Sequence, residues 1–298
     1  MAQPAASLSP RVVCYDGASP PPSWDLDETP VPEARSHDQA AELMRRVLEA
    51  VGTHDGLPVY VPRNLALRFH EARPRVGLDP DVALYVPPPP NAEQLSSVRT
   101  WEAGHAAPKV ALEVVSAGHP SKDYGPGGLE RYAASGTGEL WVFDPLLAGP
   151  RDDGGPYRLQ VWVRVGPGQL ERVYAGEGPA RSPYLRAWLV VTDKGQRLRI
   201  SDDQAGRRLW PTAEEAERAA KKRARAAQEA ERAAKEAERA AKERALAAQE
   251  TERAAKEAER AAKERALAAQ ETERAAKEAA LDELAQLRAE LAALRGGR

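Results

Sequence analysis

One cysteine, Cys14, is all that the 298 residues carry, so no intrachain disulfide forms and a disulfide-stapled secreted fold is excluded. Long apolar runs are missing as well. No stretch of about 18 apolar residues exists, so nothing in the sequence reads as a membrane-spanning helix. An excess of one charge is also absent. The chain has 43 Lys and Arg against 45 Asp and Glu, and its first 210 residues carry 23 basic and 26 acidic side chains. That part therefore has no global basic footprint for nucleic acid, and binding DNA would call for a local basic groove. Met1 to Ser23 lacks a basic start followed by an apolar run and is not read as a secretory signal. Together these absences lead to the expectation of a cytoplasmic protein.

Aromatic residues stop abruptly. All six Trp and both Phe lie at or before Trp210, and beyond Pro211 the sequence is almost wholly Ala, Glu, Lys, Arg, Gln and Leu. Only the earlier part can bury a sizeable core. Three segments follow from this: a Pro/Ala/Ser-rich arm over 1–35, expected to be mobile; a globular domain over 36–212; and a charged helical repeat over 213–298.

Within the globular segment, Asp38 to Ala50 reads as a helix with Ala41, Met44, Val47 and Leu48 on one face, capped by Ser36 or Asp38. Strands are predicted over Leu57–Val61, Asn64–His70 and Asp81–Val86, the last ended by Pro87 to Pro90. Val110 to Val115 is the most apolar strand and reads as buried on both faces. A short helix over Gly128–Ala134 and a strand over Glu139–Phe143 come next. A hairpin, Tyr157–Val165 with Leu170–Tyr174, and strands Trp188–Val191 and Gln196–Ile200 complete the domain. The fold class is α/β, a mixed sheet flanked by helices.

The tail repeats itself. Residues 233–253 recur letter for letter as 254–274, a period of three heptads. Glu231–Lys235, Glu238–Lys242, Glu252–Lys256, Glu259–Lys263 and Glu273–Lys277 are spaced four apart in the favourable order, each pair adding about 0.2–0.5 kcal/mol. The Ala-rich seam buries little, and Arg244 and Thr251 weaken it. Leu284, Leu287, Leu291 and Leu294 form a zipper-like stripe, from which a coiled coil joining copies of the chain into a homo-oligomer is expected. A solvated single helix is the other reading.

Two carboxylates carry the chemical interest. Asp81 follows Pro80 at a strand start, and Glu113 lies inside an apolar strand, where a carboxylate is costly unless it binds metal, pairs or hydrogen-bonds. On neighbouring strands the two can hold Mg²⁺ or Mn²⁺, and such an ion can activate water against a phosphodiester. Pairing of Glu113 with a Lys or Arg is the competing structural reading. The histidines His37, His54, His70, His105 and His119 show no metal spacing, although His70 and His119 flank the carboxylate strands. Gly125-Pro126-Gly127-Gly128 lacks the residues of a phosphate loop.

The runs PDVALYV (Pro80–Val86), PKVALEVVS (Pro108–Ser116) and KDYGPGGLERYAASGTGELWVFDP (Lys122–Pro145), with SSVRTWEAGHAAP (Ser96–Pro108) before the Glu strand, resemble the Uma2 family over about residues 36–212. That family resembles restriction endonucleases of the PD-(D/E)XK fold. The resemblance implies a metal-dependent endonuclease acting on DNA. Asp81 and Glu113 would be metal ligands with the backbone carbonyl of Val114, and Glu42 or Glu49 would be a further acidic group. Tyr132 and Asp144 would have structural roles, Tyr132 packing its helix on the sheet and Asp144 ending a strand. The sequence departs from the pattern in its cation. The nuclease Lys two residues after the Glu is Val115 here, and the Lys that many Uma2 members carry four residues before the helix Tyr is Gly128. Lys109, Lys122 and Arg131 are the substitutes at hand, with Lys122 preferred as a catalytic residue. A catalytically weak or inactive scaffold on the same fold is the alternative implied by that departure.

Overall fold

The structure, a computed structural model, describes residues 11–26, 34–118, 127–151 and 155–296. In chain order it contains β1 (Arg11–Cys14), α1 (Arg35–Asp55), β2 (Ala66–Arg68), β3 (Gly77–Leu78), β4 (Val82–Leu84), β5 (Ser97–Arg99) and β6 (Val110–Val114). These are followed by α2 (Gly128–Ser135), β7 (Glu139–Phe143), β8 (Leu159–Gly166), β9 (Gln169–Gly176), β10 (Ala180–Ser182), β11 (Ala187–Thr192), β12 (Arg197–Ser201) and α3 (Ala213–Gly296). The main sheet has the order β1-β9-β8-β7-β6-β4, with β6 and β7 parallel and the other neighbours antiparallel. Two three-stranded sheets, β10-β11-β12 and β3-β2-β5, accompany it.

Strand alternation divides the core into two layers. Val110, Leu112 and Val114 of β6, with Trp141 and Phe143 of β7, pack with Met44, Val47, Leu48 and Val51 of α1. Ala111 and Val115, with Leu140, Val142 and Trp162, pack on the other face with Leu129, Tyr132 and Ala133 of α2. Met44, Leu48, Leu84 and Leu112 are fully buried, each side chain contributing about 1.5–3 kcal/mol. Because side chains alternate across a strand, Glu113 belongs to the α2 face.

α2 is held at the C-terminal end of its short run. Gly136, at φ 87°, ends it in the left-handed conformation that glycine adopts without a Cβ clash. Arg164 of β8 then donates from Nη2 to the carbonyls of Tyr132 and Ala133, both at 2.9 Å, and from Nε to Thr137 O at 2.8 Å. A cation on the final carbonyls of a helix satisfies acceptors that have no partner within it.

Several expectations are corrected. The residues called a mobile arm include β1, which pairs along β9, and a 3₁₀ turn at Pro22–Trp24. Trp24 is buried against Tyr15 and Phe69; one large aromatic surface and a β-branched Val12-Val13 pair outweigh the proline content there. The strand expected over Leu57–Val61 is reduced to a single bridge, Tyr60 with Tyr85, since Pro58 and Pro62 remove donors on either side. Neither Ser36 nor Asp38 caps α1; the cap position is Ala34, without a side-chain hydrogen bond. Asp38 instead pairs with Arg63 at 2.5 Å.

The long helix α3 opens on a reciprocal capping box. Glu215 N donates to Thr212 Oγ1 at 3.2 Å, and Thr212 N donates to the Glu215 carboxylate at 2.9 Å. Within α3 all five Glu-to-Lys pairs read from the sequence form, at 2.6–2.7 Å. Leu281, Leu284, Leu287 and Leu291 are exposed on this single chain.

Candidate active site

Asp81 lies one residue before β4. The antiparallel register pairs Val82 with Leu112, and one step further it carries Asp81 opposite Glu113. The ladder does not continue there. Pro80 O accepts from Asn64 N instead, and the amide of Val114 donates to Asp81 Oδ2 at 2.6 Å. The same oxygen stands 3.0 Å from His37 Nε2, on the first turn of α1. An ionised carboxylate only accepts, so His37 Nε2 carries the hydrogen. Asp81 is 6% exposed, and its Oδ1 makes no hydrogen bond to a described residue.

Glu113 is 5% exposed and receives the Tyr132 hydroxyl on Oε1. It opens onto a cleft lined by Leu26, Leu78, Asp79, Glu113, Gly128, Arg131 and Tyr132. Leu78 and Asp79 come from the end of β3, and Gly128, Arg131 and Tyr132 from α2. Leu26, from the segment read as an arm, forms part of the wall. Asp81 is not a lining residue; its carboxylate is drawn toward α1 by His37. Among the described residues, no cluster of three or more His, Cys, Asp or Glu is arranged to hold a metal ion.

A family model described as "Uma2: Putative restriction endonuclease" matches residues 25–184, more than half of the chain. The chain belongs to the Uma2 family. The matched span takes in Asp79, Asp81, Glu113, Arg131 and Tyr132, so both strand carboxylates and the cleft wall on α2 are part of the Uma2 domain, and the protein is nuclease-like. Among solved structures, "a putative nuclease belonging to DUF820 from Anabaena variabilis" is similar at 17% identity and a TM-score of 0.35, over 53% of this chain and 76% of that one. A search of curated proteins finds no match.

The remaining candidates of the Uma2 reading fall in different places. Tyr132 packs α2 on the sheet as expected and in addition hydrogen-bonds Glu113. Asp144 accepts the amides of Leu146, Ala148 and Gly149, so it shapes the turn after β7. Glu42 and Glu49 are engaged on α1. Glu42 takes Arg45 at 2.8 Å and Arg46 at 2.8 Å, and Arg45 also reaches Glu49. The Arg45 hydrogen bonds, with those of Arg46, hold the Glu42 carboxyl at about 2, and neither acid joins the cleft. Val114 contributes its amide to Asp81. Lys109 is exposed at the opposite end of β6, and His70 is not a cleft residue. Lys122 and His119 lie outside the described residues. Val115 is buried among apolar neighbours of the α2 layer, while Gly128 lines the cleft. Sequence reasoning missed His37 and Asp79. His37 meets Asp81 across 44 residues of chain with no local signal, whereas Asp79 stands two residues before Asp81 and was legible as a second acid of the same turn.

Proposed function

We propose that the protein is a metal-dependent endonuclease that hydrolyses DNA phosphodiester bonds in the cytoplasm, with Asp81 and Glu113 as ligands of Mg²⁺ or Mn²⁺. The observation that carries this reading is a pair of buried carboxylates on neighbouring segments, Asp81 one residue before β4 and Glu113 on β6, the second of which opens onto a cleft. Mg²⁺ is commonly held by one or two carboxylates, with waters and substrate phosphates completing the shell, so a preformed protein cage is not required. The oxygen-only donor set suits such a hard ion. When bound, the ion supplies Lewis acidity and a more acidic water. His37 and the Val114 amide fix one oxygen of Asp81 and leave Oδ1 for a ligand. Tyr132 orients Glu113. The Val114 carbonyl and Lys122 remain proposed as a third ligand and a catalytic cation, DNA as the substrate, and the C-terminal helix as the element joining copies of the chain.

A specific observation favours a second reading, a catalytically weak or inactive scaffold. Asp81 is already satisfied by an amide and an imidazole, as a purely structural carboxylate would be. Nicking of supercoiled plasmid in Mg²⁺ or Mn²⁺ separates the two. The wild type nicks, EDTA stops it, and Asp81→Ala and Glu113→Gln abolish it. Gln keeps an acceptor for the Tyr132 hydroxyl, so Glu113→Gln retains the fold while losing the charge. Equal cleavage by wild type and both variants, or none by the wild type, removes the enzyme reading.

A further inference from the structure

The charged residues on the described wall of the cleft are two acids and one base. Asp79 and Glu113 face a space into which a phosphodiester must bring further negative charge, and Arg131 is the one described cation that lines it. Its position is set by α2. Arg131 Nε donates to Gly127 O at 3.3 Å, and the Arg131 amide bonds to the same carbonyl at 3.2 Å. The inner edge of the guanidinium is thereby fixed to the first turn of the helix, and its Nη groups make no hydrogen bond or ion pair to a described residue. The side chain is half-buried. Its chain neighbour Tyr132 holds Glu113, so the cation and the acid are positioned by consecutive residues of one rigid element. Gly128 stands three residues earlier, on the same helix face and on the same cleft wall. It has no side chain to intervene between Arg131 and the open space.

Resting on the endonuclease reading of this cleft, we propose that Arg131 is the residue that binds the scissile phosphate. A guanidinium is planar, always charged and presents parallel N–H groups that match two oxygens of a phosphate. Held by α2 beforehand, it offsets the charge of Asp79 and Glu113 in the ground state and that of the phosphoryl oxygens as they develop further charge. It thus fills the electrostatic role that neither Val115 nor Gly128 can supply.

The test uses the full chain with Arg131→Gln, Arg131→Lys, the double variant Arg131→Gln/Gly128→Lys, and the double variant Arg131→Gln/Asp79→Asn. Two readouts are taken: Mg²⁺-dependent plasmid nicking, and anisotropy of a short fluorescein-labelled DNA duplex in EDTA over a salt series. Arg131→Gln is expected to lower nicking by about 10²–10³-fold, the scale of losing one electrostatic donor to a developing oxyanion. It also reduces the salt slope of duplex binding by about 1, the signature of one lost phosphate contact. Arg131→Lys retains the slope and part of the rate, and Gly128→Lys restores part of what Arg131→Gln loses. Arg131→Gln with unchanged nicking and slope overturns the proposal. So does full recovery by Asp79→Asn, which would make Arg131 a counter-ion to Asp79 alone. Should the wild type bind duplex with an Arg131-dependent slope yet never nick, the endonuclease reading falls and the phosphate site stands. Should it neither bind nor nick, both fall.

Discussion

Glu139, the first residue of β7, is a carboxylate buried at 2% exposure and forms no ion pair with a described residue. Its Oε2 accepts from Trp141 Nε1 at 3.0 Å and from Ser182 Oγ at 2.7 Å, and its Oε1 accepts the Tyr184 amide. Burial pushes its carboxyl above the usual range, and the three hydrogen bonds pull the other way without cancelling that effect. Glu139→Ala leaves the Trp141 and Tyr184 N–H groups, which can only donate, without acceptors. At about 1–3 kcal/mol for each buried orphan, and with relief of the buried charge set against them, the net loss is about 2–4 kcal/mol. For a domain of this size that is a fall in melting temperature of roughly 5–15 °C. The pH dependence has a definite sign. A carboxyl raised in the folded state contributes its stability fully below its unfolded value of 4.5 and loses it as pH rises through the folded value. The wild type therefore gains from this group on acidification from neutral pH. Glu139→Ala does not, so the gap between their melting curves widens toward about pH 5. Calorimetric melts across that range check this. A gap under about 2 °C at neutral pH, or one that narrows on acidification, refutes the reasoning.

Glu42 behaves in the opposite sense. Held at about 2 by Arg45 and Arg46, it contributes stability above 4.5 that is lost as pH falls toward about 2. Glu42→Gln lowers the neutral melting temperature, and its deficit against wild type shrinks in that acid window. Thr212→Ala removes one half of the capping box that opens α3 and costs about 0.5–2 kcal/mol, read as earlier hydrogen exchange in the first turn of the helix. Deleting residues 280–298 removes the leucine stripe and lowers the native mass measured by light scattering; an unchanged mass removes the proposed self-association.

Those parts of the fold that local chemistry determines were legible in the sequence. β6 and β7 are largely apolar runs closed by Pro108, Gly138 and the Asp144-Pro145 pair, and they lie within one residue of their expected limits. The α1 face follows from its 3.6-residue spacing, and Met44, Val47 and Leu48 are fully buried. The Glu-to-Lys ladder of α3 needs only i,i+4 geometry. What stayed hidden depends on partners far along the chain. β1 looks like part of a proline-rich leader until β9 is there to pair with it. Trp24 is one aromatic among prolines until Tyr15 and Phe69 close on it. Asp81 and Glu113 were found by residue type and family pattern, and strand alternation places Glu113 on the α2 face. That His37 turns Asp81 toward α1, and that Arg131 faces the cleft, are results of packing between elements. No spacing rule encodes either one.

The duplicated 21-residue unit in α3 makes the helix a ruler with whole-unit graduations. Losing or gaining one copy changes its length by about 32 Å at 1.5 Å per residue. On a straight helix of 3.6 residues per turn the same change also rotates everything downstream by about 60°, because three heptads fall short of six full turns by that angle. Wound at 3.5 residues per turn, one unit is six turns and the rotation vanishes. Copy number then sets reach alone, and the leucine stripe keeps the same orientation at every length.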